Sequence, residues 1–449
     1  MTDPTTVTRR SILGGTAALA GSAVLAGAPA VAKMAPKPFN PNFPKGFLWG
    51  AATAGHQVEG NNTNADSWVL ENIKPSIYSE PSGDACNSFE LWRADLDLVK
   101  AIGLNTYRFS LEWPRIEPAQ GQFSRAMLDY YKTIIDGCHQ RGLTPVVTFN
   151  HYTTPIWFAA MGGWTNPQAP ALFARFCEKA AQALAGGIGY ALTLNEPNIM
   201  NVLKVVLPPQ AIAGQHAMLE AAARAHGTAK FAAGNSIDID DIPTATRNLV
   251  AGHKAGRAAI KAVRPDLPVG VSLSMFDDQA AGPHSIRDHM REVLYSPWLD
   301  AVKGDDFLGV QNYERMVWDD KGRVPVPADA VRGVRGAEIY PASLGGSVRY
   351  AHQATGCPIM VTENGASVDD DTIRARMIPA ALHGLKAAMD DGVPVLGYIH
   401  WSLLDNFEWI FGYKVHMGLA SVDPVTFART AKPSAAVLGA IARGNALPG

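Results

Sequence analysis

Cysteine is scarce and unpatterned in this chain of 449 residues: Cys86, Cys138, Cys177 and Cys357 stand far apart, with no Cys-x-x-Cys and no histidine pair at ligand spacing. That pattern speaks against the common zinc and redox frameworks, and no metal or cofactor is expected. Charge of one sign is lacking too, with 39 Lys and Arg against 41 Asp and Glu and a net charge of −2. No broad basic field exists to hold nucleic acid or an anionic membrane. No internal repeat or low-complexity linker divides the chain, which favours one domain over two. What is present in quantity is hydrophobic residues, 47% of the total, enough for a large buried core.

The amino terminus differs in composition from the rest. Thr8-Arg9-Arg10-Ser11-Ile12-Leu13 leads into a Gly/Ala/Leu stretch that ends near Ala28-Pro29-Ala30 and Ala30-Val31-Ala32. A charged start, a weakly apolar middle and a small-x-small site resemble a bacterial export signal of the twin-arginine type. The apolar part is too short and too glycine-rich for a comfortable membrane span. Residues 1–32 are therefore read as a cleaved signal and 33–449 as the folded domain, destined for the periplasm or the exterior. Such export carries proteins already folded in a reducing cytoplasm, so the four thiols are expected to be buried and free.

Short runs rich in β-branched and aromatic residues recur at 46–54, 105–113, 145–152, 190–195, 269–276, 307–313, 358–363 and 395–401. Helical stretches lie between them, among them 89–102, 125–141, 170–184, 244–263, 344–355 and 372–391. Gly103, Gly142, Gly356 and Gly392 follow helices as C-cap signals. Strand alternating with helix about eight times predicts an α/β chain closing into a single (β/α)8 barrel. The segment 200–243 reads as a long loop over the pocket, with an Ala-rich helical piece. Its acidic run Asp238-Ile239-Asp240-Asp241 lacks the closing glutamate of a calcium loop and reads as solvated.

Polar and aromatic residues gather just after the predicted strands, where a barrel of this kind places its site. Two glutamates stand out: Glu196 in Thr193-Leu194-Asn195-Glu196-Pro197 and Glu363 in Val361-Thr362-Glu363-Asn364-Gly365. Each ends a short apolar run. Paired carboxylates of this sort equip a protein for glycoside hydrolysis, one protonated to help the leaving group depart, the other ionised to attack.

With Pro44-Lys45-Gly46-Phe47-Leu48-Trp49-Gly50-Ala51-Ala52-Thr53 near the start and Trp401-Ser402-Leu403-Leu404-Asp405-Asn406-Phe407-Glu408-Trp409 near the end, nearly all of the chain beyond the leader resembles glycoside hydrolase family 1, the β-glucosidase and β-galactosidase family. The resemblance implies a retaining mechanism in which Glu196 is the general acid/base and Glu363 the nucleophile, their carboxyl groups about 5 Å apart. It implies that the charge of Glu363 keeps Glu196 protonated. Arg108 and Tyr313 match positions that touch the nucleophile. Gln57, His151, Asn195, Glu408 and Trp409 match a hydroxyl-binding set, with Trp401 as the stacking platform. Glu408 would repel a phosphate, which points to an unphosphorylated sugar in a carbohydrate or aryl β-glycoside. A transglycosidase with the same residues, or a non-catalytic sugar-binding barrel, is the alternative. Departures from the family pattern are Tyr152-Thr153-Thr154 after His151, Gln311 where asparagine is usual, and Met417 where an aromatic is common. Another is the segment 201–209, and all are expected to line the leaving-group side or its rim.

Overall fold

The computed structural model describes residues 40–448, so the leader and its twin-arginine reading lie outside the described residues. Within them the predicted alternation becomes eight parallel strands: β1 (Leu48–Ala52), β2 (Thr106–Ser110), β3 (Thr144–Asn150), β4 (Tyr190–Asn195), β5 (Val269–Ser274), β6 (Leu308–Asn312), β7 (Ile359–Asn364) and β8 (Val395–Trp401). They neighbour one another in chain order and β1 pairs with β8, closing the barrel. Strands in such a sheet are covered on both faces, which is why they read as near-continuous apolar runs. Leu48, Val146, Leu192, Met360 and Ile399 pack with Phe307 inside the barrel. Their neighbours Trp49, Val147, Leu308, Val361 and Tyr398 face the helical layer, as the two-residue period of a strand requires.

A helix follows each strand: α1 (Ser88–Ile102), α2 (Arg125–Gln140), α3 (Ala169–Leu184), α4 (Ile242–Val263), α5 (Arg287–Tyr295), α6 (Ser343–Thr355), α7 (Asp371–Asp390) and α8 (Pro433–Gly444). The glycines at 103, 142, 356 and 392 all have positive φ, between 68° and 100°, as C-caps should. Two barrel helices carried no clear sequence mark. The nine-residue α5 buries only Leu294 and Tyr295, so little apolar periodicity betrays it.

The segment after β4 departs from expectation. It is mostly helical, with Ile199–Val206 and Pro209–Ala225 followed by a turn closed between Ala233 and Ser236. Met218, Leu219 and Ala222 of the second helix bury themselves with Leu70, Tyr78, Phe231 and Phe407 in a small core of their own. That tertiary burial fixes a stretch whose own sequence pattern was weak.

The seam of the barrel is also where the described ends meet. Residues from Leu48 to Ala52 lie in register with those from Gly397 to Trp401, and Trp49 Nε1 donates to Asn445 Oδ1 at 3.0 Å. Asn42 forms an antiparallel bridge with Ala446. All four cysteines are buried free thiols, as expected. Among the described residues no helix is long and apolar enough to cross a membrane.

Candidate active site

The barrel interior changes from apolar to polar as its strands approach their C-terminal ends. Arg108, Thr148, Ser272, Gln311 and Thr362 are all buried there, and Ser272 Oγ donates to Thr362 Oγ1 at 2.9 Å. Two strand pairings slip at this level, between Leu192 and Asn195 in β4 and between Val310 and Gln311 in β6. A slip of this kind re-aims the side chains beyond it, and here those are Asn195, Gln311 and Glu363.

Glu363, from β7, is held by donors from three directions. Arg108 Nη1 reaches its Oε1 at 2.6 Å, Gln311 Nε2 reaches the same oxygen at 2.8 Å, and Tyr313 donates to Oε2 at 2.5 Å. Arg108 is itself fixed, with Nε on Thr148 Oγ1 at 3.1 Å and Nη2 on Asn195 Oδ1 at 2.6 Å. Burial raises the Glu363 carboxyl, while Arg108 first and then Tyr313 oppose the rise. A charged hydrogen bond to a fixed guanidinium favours the ionised form. The predicted partners Arg108 and Tyr313 therefore meet the carboxylate they were expected to meet.

Glu196, at the end of β4, sits in the left-handed region with φ 39°, a backbone state that non-glycine residues enter at a cost. Its N–H donates to Ser272 O at 2.8 Å, which ties the strained residue to β5. Its side chain is buried and receives the phenol of Tyr152. The Glu196 carboxyl is pushed up to about 7, by burial first and by the charge of Glu363 second. The charge of Glu363 thus raises Glu196 as expected, and loss of water adds a larger push in the same direction.

Next to this pair lies a set of polar atoms with unused capacity. Gln57 Nε2 donates to Phe407 O at 2.8 Å and Asn406 Oδ1 at 3.1 Å, spanning the β1–β8 seam. Its Oε1 and the Nδ1 of His151 are buried with no hydrogen-bond partner among the described residues. Buried polar atoms are rarely left so, and a sugar hydroxyl would satisfy them. His151 is held neutral, because burial and the Arg108 charge drive its pKa well below the usual range. Its ring stacks on Trp401 at 5.6 Å and on Trp409 at 6.3 Å. Glu408 accepts from the Trp401 side chain and is pushed up to about 7, chiefly by burial. Asn195 accepts from Arg108 and from Gln311 Nε2 on one oxygen, at 2.6 and 2.7 Å.

Of the departures from the family pattern, Tyr152 stands beside Glu196, the carboxyl expected to face the leaving group, whereas Gln311 stands away from that side, against Glu363. Gln311 bridges Asn195 and Glu363, and Tyr152 touches Glu196 directly. Sequence reasoning flagged both as unusual without seeing that each touches a carboxylate. Met417 packs in the cluster that holds Trp401. Asp66 and Glu112 were missed altogether. Asp66 accepts from Thr154 N and Oγ1 at 3.0 and 2.8 Å, and Glu112 from Thr153 Oγ1 at 2.7 Å, so both brace the loop that carries Tyr152.

A parallel eight-stranded barrel with one ion-paired and one protonatable carboxyl at its strand ends has the equipment of a glycoside hydrolase. The chain matches Glycosyl hydrolase family 1 over residues 39–291 and 332–446 and belongs to that family. It is similar to the "Beta-glucosidase" of an Agrobacterium species, 30% identical over 90% of this chain and 95% of the relative. It is also similar to "Beta-glucosidase A" of Thermotoga maritima, 28% identical over 90% of this chain and 98% of the relative. Among solved structures, the beta-glycosidase BGL167 superposes with a TM-score of 0.84 at 43% identity, covering 91% of this chain and 98% of its own.

Proposed function

We propose that this glycoside hydrolase is a retaining β-glucosidase that acts on aryl glucosides or short oligosaccharides. The carrying observation is the asymmetry of the pair, a carboxylate gripped by Arg108 beside a carboxyl that rises to about 7. In the first step Glu363 attacks the anomeric carbon, the glycosidic C–O bond breaks, and Glu196 gives its proton to the departing oxygen. Ester formation removes the Glu363 charge. Glu196, now ionised, then takes a proton from water, which attacks the anomeric carbon and releases Glu363. Gln57, His151, Asn195 and Glu408 would hold the sugar hydroxyls, with Trp401 beneath the ring, and a contact to the 2-hydroxyl through Asn195 would tighten in the transition state. The test is proton NMR of nitrophenyl β-glucoside hydrolysis. The β-anomer of glucose appears first if the reading holds, and the α-anomer first overturns it.

We also infer export by the twin-arginine route, from the Arg9-Arg10 leader and four thiols that need no oxidation. Replacing both arginines by lysine should leave activity in the cytoplasmic fraction. Unchanged periplasmic activity would refute the route.

A further inference from the structure

Tyr152 is joined to Glu196 Oε2 by its phenol, deep in the site. We propose that Tyr152 is a positioning residue for Glu196, whose phenol grips the carboxylate formed as the proton passes to the departing aglycone. The proposal rests on reading Glu196 as the proton donor.

The phenol is placed with unusual firmness. Tyr152 has φ 67°, in the left-handed region, and the residues after it are clamped by Glu112 and Asp66. Asp66 also accepts from Gly234 N at 2.8 Å. A Cβ on Gly234 would stand 1.8 Å from Tyr152 O, so only glycine lets that backbone approach. The ring meets Trp409 edge-on at 5.3 Å and 77°.

The phenol stays a donor throughout the cycle. Burial and the charges of Glu196, Glu363 and Glu408 drive its pKa well above 10. The other groups facing Glu196 are Glu363, Arg108 and the Ser274 hydroxyl, with His151 next to Tyr152 neutral. A hydrogen bond to a carboxyl strengthens when the acceptor becomes charged. Proton transfer to the aglycone creates that charge, so the contact is stronger in the transition state than before it and lowers the barrier. Tyr152 keeps its own proton: the proton lost by Glu196 goes to the aglycone, and the anomeric carbon exchanges its bond to the aglycone for one to Glu363.

The contribution should grow with the need for acid assistance. In Tyr152→Phe, kcat/KM for phenyl β-glucoside should fall about ten-fold or more, while dinitrophenyl β-glucoside, whose leaving group needs no proton, should change by less than about two-fold. The alkaline limb of the kcat/KM profile should move up by about one pH unit, because a donor that favoured the ionised Glu196 is gone. Equal losses on both substrates with an unmoved limb would overturn the proposal. As a second variant that keeps the ring shape, a fluorinated tyrosine at 152 is a stronger donor and should move the limb down; an unmoved limb there overturns it as well. Wild-type protein that cleaves neither substrate would instead overturn the β-glucosidase reading on which this one rests.

Discussion

The two sides of the catalytic cleft hold their carboxyl groups by different means. Around Glu363 the grip comes from β2, β6 and the residue just after β6, with Arg108 itself tied to Thr148 and Asn195. Around Glu196 it comes from a phenol on a loop and the Ser274 hydroxyl, the phenol backed by Asp66, Glu112 and the close-packed Gly234. The difference matches the work proposed for each group. A nucleophile serves best with one charge state held by a fixed cation. An acid that becomes a base must pass between two states, so it gains from a neutral donor that biases the exchange without blocking it.

The comparison can be broken from either side. The largest expected effect is on the rigid side, where Glu363→Gln should lose roughly four or more decades of turnover on nitrophenyl β-glucoside. Near wild-type rates from purified variant would end the assignment. On the other side, Glu196→Ala should lose about two to four decades on phenyl β-glucoside but far less of the first step on dinitrophenyl β-glucoside. A uniform loss would remove the distinction between the two carboxyls.

Finer tests probe the supports. Gln311→Ala removes a donor to ionised Glu363, so kcat/KM should fall about ten-fold and the acidic limb should move up; a limb that moves down contradicts the role. In wild type the alkaline limb should lie near 7, the value to which Glu196 rises, because activity is lost as that proton leaves. Both limbs belong to the coupled pair rather than to one residue. Smallest is Gly234→Ala, expected to cost about 1–3 kcal/mol of stability through overpacking against Tyr152, read by urea unfolding. Stability unchanged there would mean that the loop is looser than its packing indicates.

The barrel was legible because eight buried strands and their glycine-capped helices leave repeating local marks. The carboxyl pair was legible because each ends an apolar run. What escaped was tertiary in origin. The helices within 199–225 owe their stability to burial against Leu70, Tyr78 and Phe407, residues far off in the chain. Gln311 and Tyr152 were visible as oddities, but their partners depend on a register slip and on left-handed backbone that no short motif announces. Asp66 and Glu112 carry no motif of their own, and only the fold buries them against the loop of Tyr152.

The β1–β8 seam brings the first and last strands of the barrel together, and Gln57 on one side grips the backbone of Phe407 on the other. The wall proposed to bind the sugar is therefore unfinished until the ribosome has released nearly the whole sequence. Any chain stopped before Trp401 lacks the proposed platform as well as the closure, so a glucoside assay on nascent or truncated chains would report passage of this seam as an on–off signal.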